Sequence, residues 1–327
     1  MTRPQNWQHI RLIDCQSSCR KICICFTLLL FLSKFQLHFN IPHGEIITDE
    51  QTSLDVLSPQ RRKQKNVTIS ILSWNIAECR PSDSAPEKWH SSDCQEESQC
   101  NYQARTFCDT ISSNTVRDLI LTYSPDVIAL QESPNSSWGE TYYDYILMGS
   151  VRSHCGFVQL LLRQDLAALG VRLRIDNLPT VAATVEFASG RKITFASNHL
   201  APYGDNNEKR LKQVEQVVKS MPTNDYVIVG DMNMRMSEDH AVETLGLIDA
   251  WKDFGSKNNS MHTWDSFANR YYSHGRAYQA RYDRIYVSTS GKKIVQDFGL
   301  VGHDPVSGLK HHFLSDHFGL FAKIVFL

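Results

Sequence analysis

Short apolar runs rich in β-branched residues recur from residue 67 to the end of the chain, and this pattern most constrains the fold. VTISILSW (67–74) alternates apolar and polar residues like a half-buried strand, and DYVIVGD (225–231) reads as a buried one. Between them, DNNEKRLKQVEQVVKSM (205–221) is typical of an amphipathic helix. Its apolar residues share one face: Leu211, Val214, Val217, Val218 and Met221. Strand pairs mixed with helix–strand units predict an α/β fold of two packed sheets flanked by helices.

The remaining elements are predicted from the same signals. Residues 114–125 have helical spacing, which ends at the proline. Segments 181–187 and 192–200 flank a Ser-Gly pair that is typical of a hairpin turn. Further strands are predicted at residues 126–132, 156–163, 281–288 and 317–326.

Residues 1–66 differ from the rest and are predicted to be an N-terminal extension to one domain, 67–327. Segment 22–32, ICICFTLLLFL, resembles a signal-peptide core or a short membrane anchor. It is shorter than the roughly 20 apolar residues that cross a bilayer. An extension without a targeting role is therefore the alternative. The basic stretch 58–66 is predicted to be an exposed linker.

Cysteine usage leaves the cellular compartment open. The nine cysteines cannot all pair internally, because their number is odd. Free thiols would indicate a reducing compartment, whereas disulfides among the cysteines of 79–108 would indicate an oxidising one. Glycosylation sequons begin at Asn66, Asn135 and Asn258, and they matter only if the chain enters the secretory pathway.

Residues with functional side chains end one predicted strand after another. An acid, an amide or an imidazole occurs at six such places. They are Asn75, Glu132, Asn198-His199, Asp231 with Asn233, Asp283, and Asp316-His317. A single case is typical of a turn cap. Six in one domain indicate that these side chains converge on one rim of the packed sheets.

The composition of this rim indicates phosphate chemistry. Its carboxylates, amides and imidazoles form an oxygen-rich set without thiolates, which favours Mg²⁺ or Mn²⁺ over zinc. A hard cation polarises phosphoryl oxygens when phosphate esters are hydrolysed. The formal net charge of −1 gives no overall attraction for nucleic acid, so a polyanion would need a local site. The sequence has neither a GxxxxGK[ST] phosphate loop nor a GxGxxG motif.

Six short motifs occur in the order found in the endonuclease/exonuclease/phosphatase superfamily, which has the DNase I-like fold. They are SWNI, LQES, SNHL, GDMNMR, RYDRIYV and SDHFGL, between residues 73 and 320. The chain resembles that superfamily over nearly all of its length after the extension. The resemblance implies a two-sheet α/β sandwich with a metal-dependent phosphoesterase site on one rim.

Within the superfamily, GDMNMR, HTWDS and RYDRIYV resemble the corresponding motifs of 5′-tyrosyl-DNA phosphodiesterases. This resemblance implies Mg²⁺-dependent hydrolysis, with Mn²⁺ as a substitute, of a 5′-phosphotyrosyl bond at DNA ends during DNA repair. It also implies a monomer in the nucleus or cytoplasm that binds single-stranded 5′ ends carrying a tyrosyl adduct. The apolar segment 22–32 keeps a membrane-anchored or secretory location open.

The resemblance implies roles for the residues that surround the metal and the water. Glu132 is expected to be the main metal ligand, with Asn75 beside it. Asp316 is expected near the metal, directly or through water. Asp231 is expected to activate the attacking water, and Asn233 to hold that water or a phosphate oxygen.

The resemblance also implies roles for residues that contact the substrate. His317 is expected to stabilise the transition state, Asp283 to orient His317, and His199 to contact the phosphate. The expected substrate-binding residues are Trp264, Arg235 and Asn198. An aromatic face and a guanidinium suit a single-stranded end. A core position for Trp264 and a surface ion pair for Arg235 are the alternatives.

Two other functions remain open at this point. A secreted or lumenal DNase, RNase, sphingomyelinase or phosphoinositide phosphatase would use the same scaffold, and the apolar segment, sequons and cysteines favour it. A non-catalytic member that binds nucleic acid is the second alternative. The complete set of polar residues from Asn75 to His317 argues against it.

Overall fold

The computed structural model describes residues 66–77, 116–269, 277–304 and 313–327. The apolar segment 22–32, nearly all of the basic linker and the cysteines of 79–108 lie outside these ranges. The predictions made for them, and the domain boundary at residue 66, stay predictions. Among the described residues, no helix is both long and apolar enough to cross a membrane.

β-strands are the main regular structure of the described residues. They are β1 (Val67–Asn75), β2 (Val127–Ser133), β3 (Tyr145–Arg152), β4 (Phe157–Arg163), β5 (Gly170–Leu173), β6 (Thr180–Glu186), β7 (Lys192–His199), β8 (Asp225–Asp231), β9 (Leu247–Asp249), β10 (Trp264–Asp265), β11 (Gln279–Ala280), β12 (Asp283–Ser288), β13 (Lys293–Val301) and β14 (Gly319–Phe326). Sheet A has the order β13-β14-β1-β2-β4-β3, and sheet B the order β5-β6-β7-β8-β12-β9. Strands β10 and β11 form a separate pair.

The helices of the described residues flank the two sheets. They are α1 (116–122), α2 (Gln164–Ala167), α3 (Asn207–Lys219), α4 (Asp239–Glu243) and α5 (Ala250–Asp253). Short 3₁₀ turns occur at Trp138–Thr141, Gly204–Asn206, Met236–Glu238 and Asn258–Ser260. Val116 and Ile120 of α1 pack on sheet A, and Val214 and Val217 of α3 pack on sheet B.

The sheets pack face to face through a shared apolar layer. Ile71 of β1, Phe195 of β7 and Val229 of β8 lie in the same buried cluster. Leu72 and Trp74 point to the other face of sheet A, where α1 covers them. β1 is therefore buried on both faces from Ile71 onward, whereas its first residues alternate as predicted for a half-buried strand, with Thr68 exposed. Each fully buried apolar side chain of this size contributes about 1.5–3 kcal/mol.

The predicted α/β sandwich is confirmed, and the elements that were missed share one property. β8 has the predicted bounds, and the predicted helix 205–221 is observed as α3. The longer strands that were not predicted are β3, β5, β9 and β13, and each lies at an edge of its sheet. An edge strand keeps one side in contact with solvent, so it needs no continuous apolar run.

A close approach between β7 and β8 requires glycine at position 230. Gly230 has a φ of +135°, and a Cβ there would lie 2.1 Å from the carbonyl oxygen of Asn198. Asn198 and Gly230 are partners in the register, and the next pair is His199 with Asp231. This glycine therefore controls where two functional side chains stand.

We expect Gly230→Ala to lower the free energy of unfolding by more than about 2 kcal/mol, because the new methyl group displaces β7. Gly190→Ala is the control, since Gly190 also has a positive φ of +82° but has no atom within 4 Å of the added Cβ. Its expected cost is about 1 kcal/mol. Urea unfolding followed by circular dichroism measures both, and equal losses would contradict the steric explanation.

Candidate active site

Strand register places three functional side chains on adjacent strands at one end of sheet B. β7 runs parallel to β8 and pairs His199 with Asp231. β12 runs antiparallel to β8 and pairs Asp283 with the same Asp231. Asp231 therefore has one functional neighbour on each side.

The prediction that every one of these residues ends a strand is wrong in two places. Asp283 begins β12, and Asp316 and His317 precede β14. Both strands run antiparallel to the neighbour on which they lie, β8 and β1. Their beginnings therefore lie at the rim where those neighbours end, and the predicted convergence is preserved.

Sheet A brings two further side chains to the same rim. Asn75 ends β1, and Glu132 lies near the end of β2, which pairs in parallel with β1. The Nδ2 of Asn75 donates to Glu132 Oε1 at 3.1 Å and to Asp231 Oδ2 at 3.0 Å. Its Oδ1 accepts the N–H of Ala77 at 3.0 Å, which fixes the amide orientation. One amide thus links the carboxylates of the two sheets.

Two site residues adopt an uncommon backbone conformation. Glu132 and Asn233 have φ values of +55° and +51°, in the left-handed region that non-glycine residues seldom occupy. The N–H of Asn233 donates to Asp231 Oδ1 at 2.8 Å, and its Nδ2 donates to the carbonyl of Leu200 at 3.2 Å. Such strain concentrates at functional sites, where the surrounding structure holds it.

His317 is held by a carboxylate and by its own buried loop. Its Nδ1 lies 2.8 Å from Asp283 Oδ2, and its Nε2 lies 3.8 Å from Asp231 Oδ2. The backbone N–H of His317 donates to Ser315 Oγ at 3.1 Å, and that hydroxyl donates to the backbone carbonyl of Asn75 at 2.6 Å. Trp74 Nε1 donates to the carbonyl of His317 at 2.9 Å. The imidazole is therefore fixed with Nε2 towards Asp231.

The buried carboxylates repel one another unless a cation lies between them. Burial, and next the charge of Asp316, raise the pKa of Glu132 to about 8. Burial raises the pKa of Asp316 to about 6, and the charge of Asp231 adds to that rise. A divalent cation would remove this repulsion, and carboxylate oxygens are the ligands that Mg²⁺ prefers. Glu132 and Asp316 therefore fit a site for a divalent metal ion.

The two imidazoles of the site differ in charge. Burial lowers the pKa of His199 to about 3, so this ring is neutral at physiological pH. Burial also opposes a charge on His317, but the carboxylates of Asp283 and Asp231 outweigh it and raise its pKa well above the usual value. A cationic donor of this kind suits an oxygen on which negative charge develops.

A second set of possible metal ligands consists of Asp231, Asp283 and His317. One ligand atom of each lies within 4.8 Å of the others. The 2.8 Å contact between His317 and Asp283 is a hydrogen-bond distance, which explains their proximity without an ion. We favour the oxygen donors of Glu132 and Asp316, because a hard cation prefers oxygen to imidazole.

An aromatic wall, formed by Trp264, Tyr278 and Tyr282, stands on the Asp283 side of the site. The half-buried Trp264 ring lies 5.1 Å from the His317 ring in an edge contact and stacks on Tyr278 at 5.9 Å. The guanidinium of Arg235 lies 5.0 Å from the centre of the Tyr282 ring. Trp264 and Arg235, both predicted to bind substrate, are therefore brought together next to His317.

Asn198 is not brought into this cluster. Its Oδ1 accepts from the hydroxyl of Thr180 at 2.6 Å, and its Nδ2 donates to the carbonyls of Ala196 and Val229. Successive side chains of a strand point to opposite faces, so Asn198 points away from the face that carries His199. The substrate contact predicted for Asn198 has no support in these contacts.

Residues that position the functional groups were not identified from the sequence. Thr263 Oγ1 accepts the N–H groups of Asp283 and Tyr282, both at 3.1 Å. Ser153 Oγ lies 3.3 Å from His199 Nδ1. Thr263 belongs to the HTWDS motif, so the motif could have identified it from the sequence. Ser153 follows β3, an edge strand that the apolar pattern does not reveal.

Comparisons with known proteins agree with this geometry. The profile of the Endonuclease/Exonuclease/phosphatase family matches residues 72–317. The chain is 26% identical to tyrosyl-DNA phosphodiesterase 2 of Xenopus tropicalis over 286 residues and to that of Mus musculus over 280 residues. Each alignment covers 79% of this chain and 66% of the relative. The chain thus spans slightly less than two thirds of the length of these relatives.

Solved structures share the fold. The crystal structure of D. rerio TDP2 complexed with single strand DNA product has a TM-score of 0.59 at 20% identity, covering 79% of this chain and 98% of that one. An endonuclease/exonuclease/phosphatase family protein from Bacteroides thetaiotaomicron has a TM-score of 0.57 at 15% identity, covering 80% and 99%. The predicted DNase I-like sandwich is therefore confirmed.

We expect the metal-free protein to lose stability as the pH rises from 4.5, the ordinary pKa of a glutamate, to about 8, the raised value for Glu132. In this range the folded chain binds a proton at Glu132 that the unfolded chain has lost, so rising pH favours unfolding. The expected fall in Tm is a few degrees or more. Mg²⁺ should raise Tm more at pH 8 than at pH 6. Differential scanning fluorimetry measures both effects.

Glu132→Gln should remove most of this pH dependence and most of the Mg²⁺ effect. Glu208→Gln, on the exposed start of α3, serves as the control and should change neither. A Glu132→Gln protein that keeps the full response to Mg²⁺ would show that Glu132 is not a principal ligand.

Proposed function

This chain belongs to the endonuclease/exonuclease/phosphatase family, and we propose that it hydrolyses the phosphodiester that joins a tyrosine side chain to a 5′ DNA end. Relatives at 26% identity are named for that activity, and one structure of the same fold contains a single-strand DNA product. The observation that carries the proposal to this chain is the aromatic wall next to His317. It gives a phosphoesterase site a surface for an unpaired nucleotide.

The aromatic wall and Arg235 are proposed to bind the DNA arm of the substrate. Stacking of a base on an aromatic ring contributes about 1–3 kcal/mol and requires a strand whose bases are unpaired. Arg235 lies over Tyr282 and can pair with a backbone phosphate while its hydrocarbon stem stays packed. A monomer supplies all of these groups.

Asp231 is proposed to accept the proton of the attacking water. Burial alone would raise its pKa, but the charge of His317 and the hydrogen bonds from Asn75 and Asn233 favour the carboxylate and help to lower it. The carboxylate is therefore ionised at neutral pH. As the water oxygen forms its bond to phosphorus, its proton passes to Asp231. The P–O bond to tyrosine breaks, and its electron pair stays on the phenolate oxygen. Asn233 holds the water or a phosphate oxygen without adding a second negative charge.

The imidazoles are proposed to bind the phosphoryl oxygens. The cationic His317 donates to the oxygen on which charge develops, and Asp283 keeps its ring in place at 2.8 Å. The neutral His199 contacts a second oxygen. Its position is set by Ser153 on one side and Asp231 on the other.

Glu132 and Asp316, with Asn75 beside them, would hold Mg²⁺, with Mn²⁺ as a substitute. The bound cation supplies charge neutralisation and polarises a phosphoryl oxygen. Asn75 keeps Glu132 and Asp231 at a fixed separation through the two hydrogen bonds that it donates.

We expect Asp231→Asn to lower kcat at least about a hundredfold, since it removes the proton acceptor and keeps the shape. The Kd for a 5′-tyrosyl oligonucleotide should change little. Single-turnover kinetics and fluorescence anisotropy measure the two quantities. Turnover close to that of the wild type would exclude Asp231 as the base.

The substrate is tested with a 5′-tyrosyl oligonucleotide, an unmodified single strand and a small phosphate monoester, each with Mg²⁺ and with EDTA. We expect EDTA-sensitive release of tyrosine with little internal cutting. Trp264→Ala should raise KM for the tyrosyl oligonucleotide about tenfold, as expected for the loss of one stacked base. Internal cutting, or preferred hydrolysis of the monoester, would assign the chain to another branch of the family.

The cellular compartment is a separate question, and two observations favour the secretory alternative. A DNA-repair role places the chain in the nucleus or cytoplasm. However, Cys155 is disulfide-bonded, which is rare outside oxidising compartments. The three sequon residues, Asn66, Asn135 and Asn258, are all exposed and so accessible to glycosylation. Mass spectrometry of protein from its native cells decides this: glycan at these residues supports a secreted or lumenal phosphoesterase, and its absence together with a free Cys155 thiol excludes it.

A further inference from the structure

A large groove opens next to the site on the side opposite the aromatic wall. It has a volume of about 870 Å³ and borders His199, His154 and Tyr203. Strand register places His199 and Asp283 on opposite sides of Asp231. Since the aromatic wall lies at the Asp283 side, the groove and the wall extend from opposite flanks of the catalytic centre.

One border of the groove is the free edge of β3. Seven consecutive residues, 148–154, line it. Because alternate side chains of a strand point to opposite faces, a consecutive run can line a groove only along the strand edge. Among the described residues β3 pairs only with β4, and the outer edge of residues 149–152 has no hydrogen-bonding partner. Such an edge can pair with an extended peptide.

The groove also carries uncompensated positive charge. Arg152 and Lys209 line it, are exposed, and form no ion pair among the described residues. Arg174 also lines it but is neutralised by Asp176 at 2.6 Å. His154 stands between Lys209 and the catalytic centre, with its ring 4.1 Å from that of His199. Burial lowers the pKa values of both His154 and His199, so the positive charge of the groove comes from Arg152 and Lys209.

Tyr203 presents an aromatic face in this groove at a cost in backbone strain. It has φ +70° and ψ 156°, a conformation otherwise used almost only by glycine, and its side chain is 72% exposed. The strained turn is held by the buried Arg210, which donates to the carbonyls of Ala201 and Tyr203 and pairs with Glu238 at 2.6 Å. An exposed ring kept in a strained position has no role in the core.

We propose that this groove is the subsite for the leaving group, and that it binds the tyrosine as part of a short acidic peptide. The tyrosyl ring contacts Tyr203, the peptide pairs with the edge of β3, and acidic side chains meet Lys209 and Arg152. The four residues of that edge, 149–152, match about four peptide residues in length. This inference rests on the proposed function: after hydrolysis the phenolate takes up a proton, and the peptide leaves through the groove while the 5′-phosphate stays with the DNA.

The test uses one oligonucleotide with four leaving groups on its 5′-phosphate. They are p-nitrophenol, tyrosine, a five-residue peptide with tyrosine between glutamates, and the same peptide with glutamines. We expect the wild type to prefer the glutamate peptide over the glutamine peptide about tenfold in kcat/KM, as one charge-assisted hydrogen bond predicts. Lys209→Ala should abolish this preference and leave the p-nitrophenyl ester unchanged. Lys212→Ala, an exposed cation on the same helix outside the groove, is the matched control and should change nothing.

Tyr203→Gly separates binding from a structural role. Relief of the positive φ should raise Tm, while kcat/KM for the tyrosyl and peptide substrates should fall several-fold. A purely structural Tyr203 would not lower activity in a more stable protein.

Three results would overturn the proposal for the groove, and each can be distinguished from a result that contradicts the proposed function. Equal rates for the two peptides in the wild type would exclude an acidic-peptide site. A Lys209 dependence found only on internal phosphodiesters would assign the groove to nucleic acid. Higher activity of Lys209→Ala on all four substrates would show that a segment of the chain itself covers the groove. By contrast, if no leaving group is released from the oligonucleotide, the proposed function itself is wrong.

Discussion

Mutual repulsion among crowded carboxylates governs the arrangement of this site. Glu132, Asp231, Asp283 and Asp316 converge where two sheets meet, and a buried charge without a partner is costly. Each carboxylate is stabilised by different partners. Asp231 accepts donors from Asn75 and Asn233, and Asp283 pairs with His317. Burial raises the pKa values of Glu132, Asp316 and Asp283, but Asp283 already has an imidazole at hydrogen-bond distance, which leaves Glu132 and Asp316 as the pair suited to a cation.

Rigid supports outside the site hold this arrangement. Arg281, two residues before Asp283, donates to Asp249 at 2.5 Å and to Asp239 at 2.9 Å within the protein interior. Arg210 similarly joins α3 to Glu238 and to the strained turn at Tyr203. Such buried pairs contribute more to a defined geometry than to net stability, since desolvation offsets their attraction. The pairs of Arg281 and Arg210 therefore hold the segments around β8 in place.

The phosphodiester proposed as substrate has two arms, and the site has two unlike flanks to receive them. The flank at Asp283 is aromatic, with one guanidinium over Tyr282. In the part of the chain that the structure describes, the flank at His199 has a strand edge without a neighbouring strand and two cations without an ion pair. A site for internal cleavage of nucleic acid would receive the same chemical group on both sides. This asymmetry is the physical reason to assign different chemistry to the DNA arm and to the leaving group.

The central strands, α3 and the chemical type of the site could be predicted from the residue pattern alone. Central strands such as β8 are buried on both faces, so their apolar runs are visible without any partner, and the motifs at their ends identify the family. The residue pattern also predicted that polar residues converge on one rim, although it assigned Asp283 to the wrong end of its strand. How these residues are used depends on the three-dimensional contacts between them. The bridging role of Asn75, the orientation of Asn198 away from the site and the placement of Ser153 follow from contacts between segments far apart in the chain. The edge strands and the groove along β3 were likewise invisible, because an edge is defined by which strand is missing beside it, and local residue patterns do not record that.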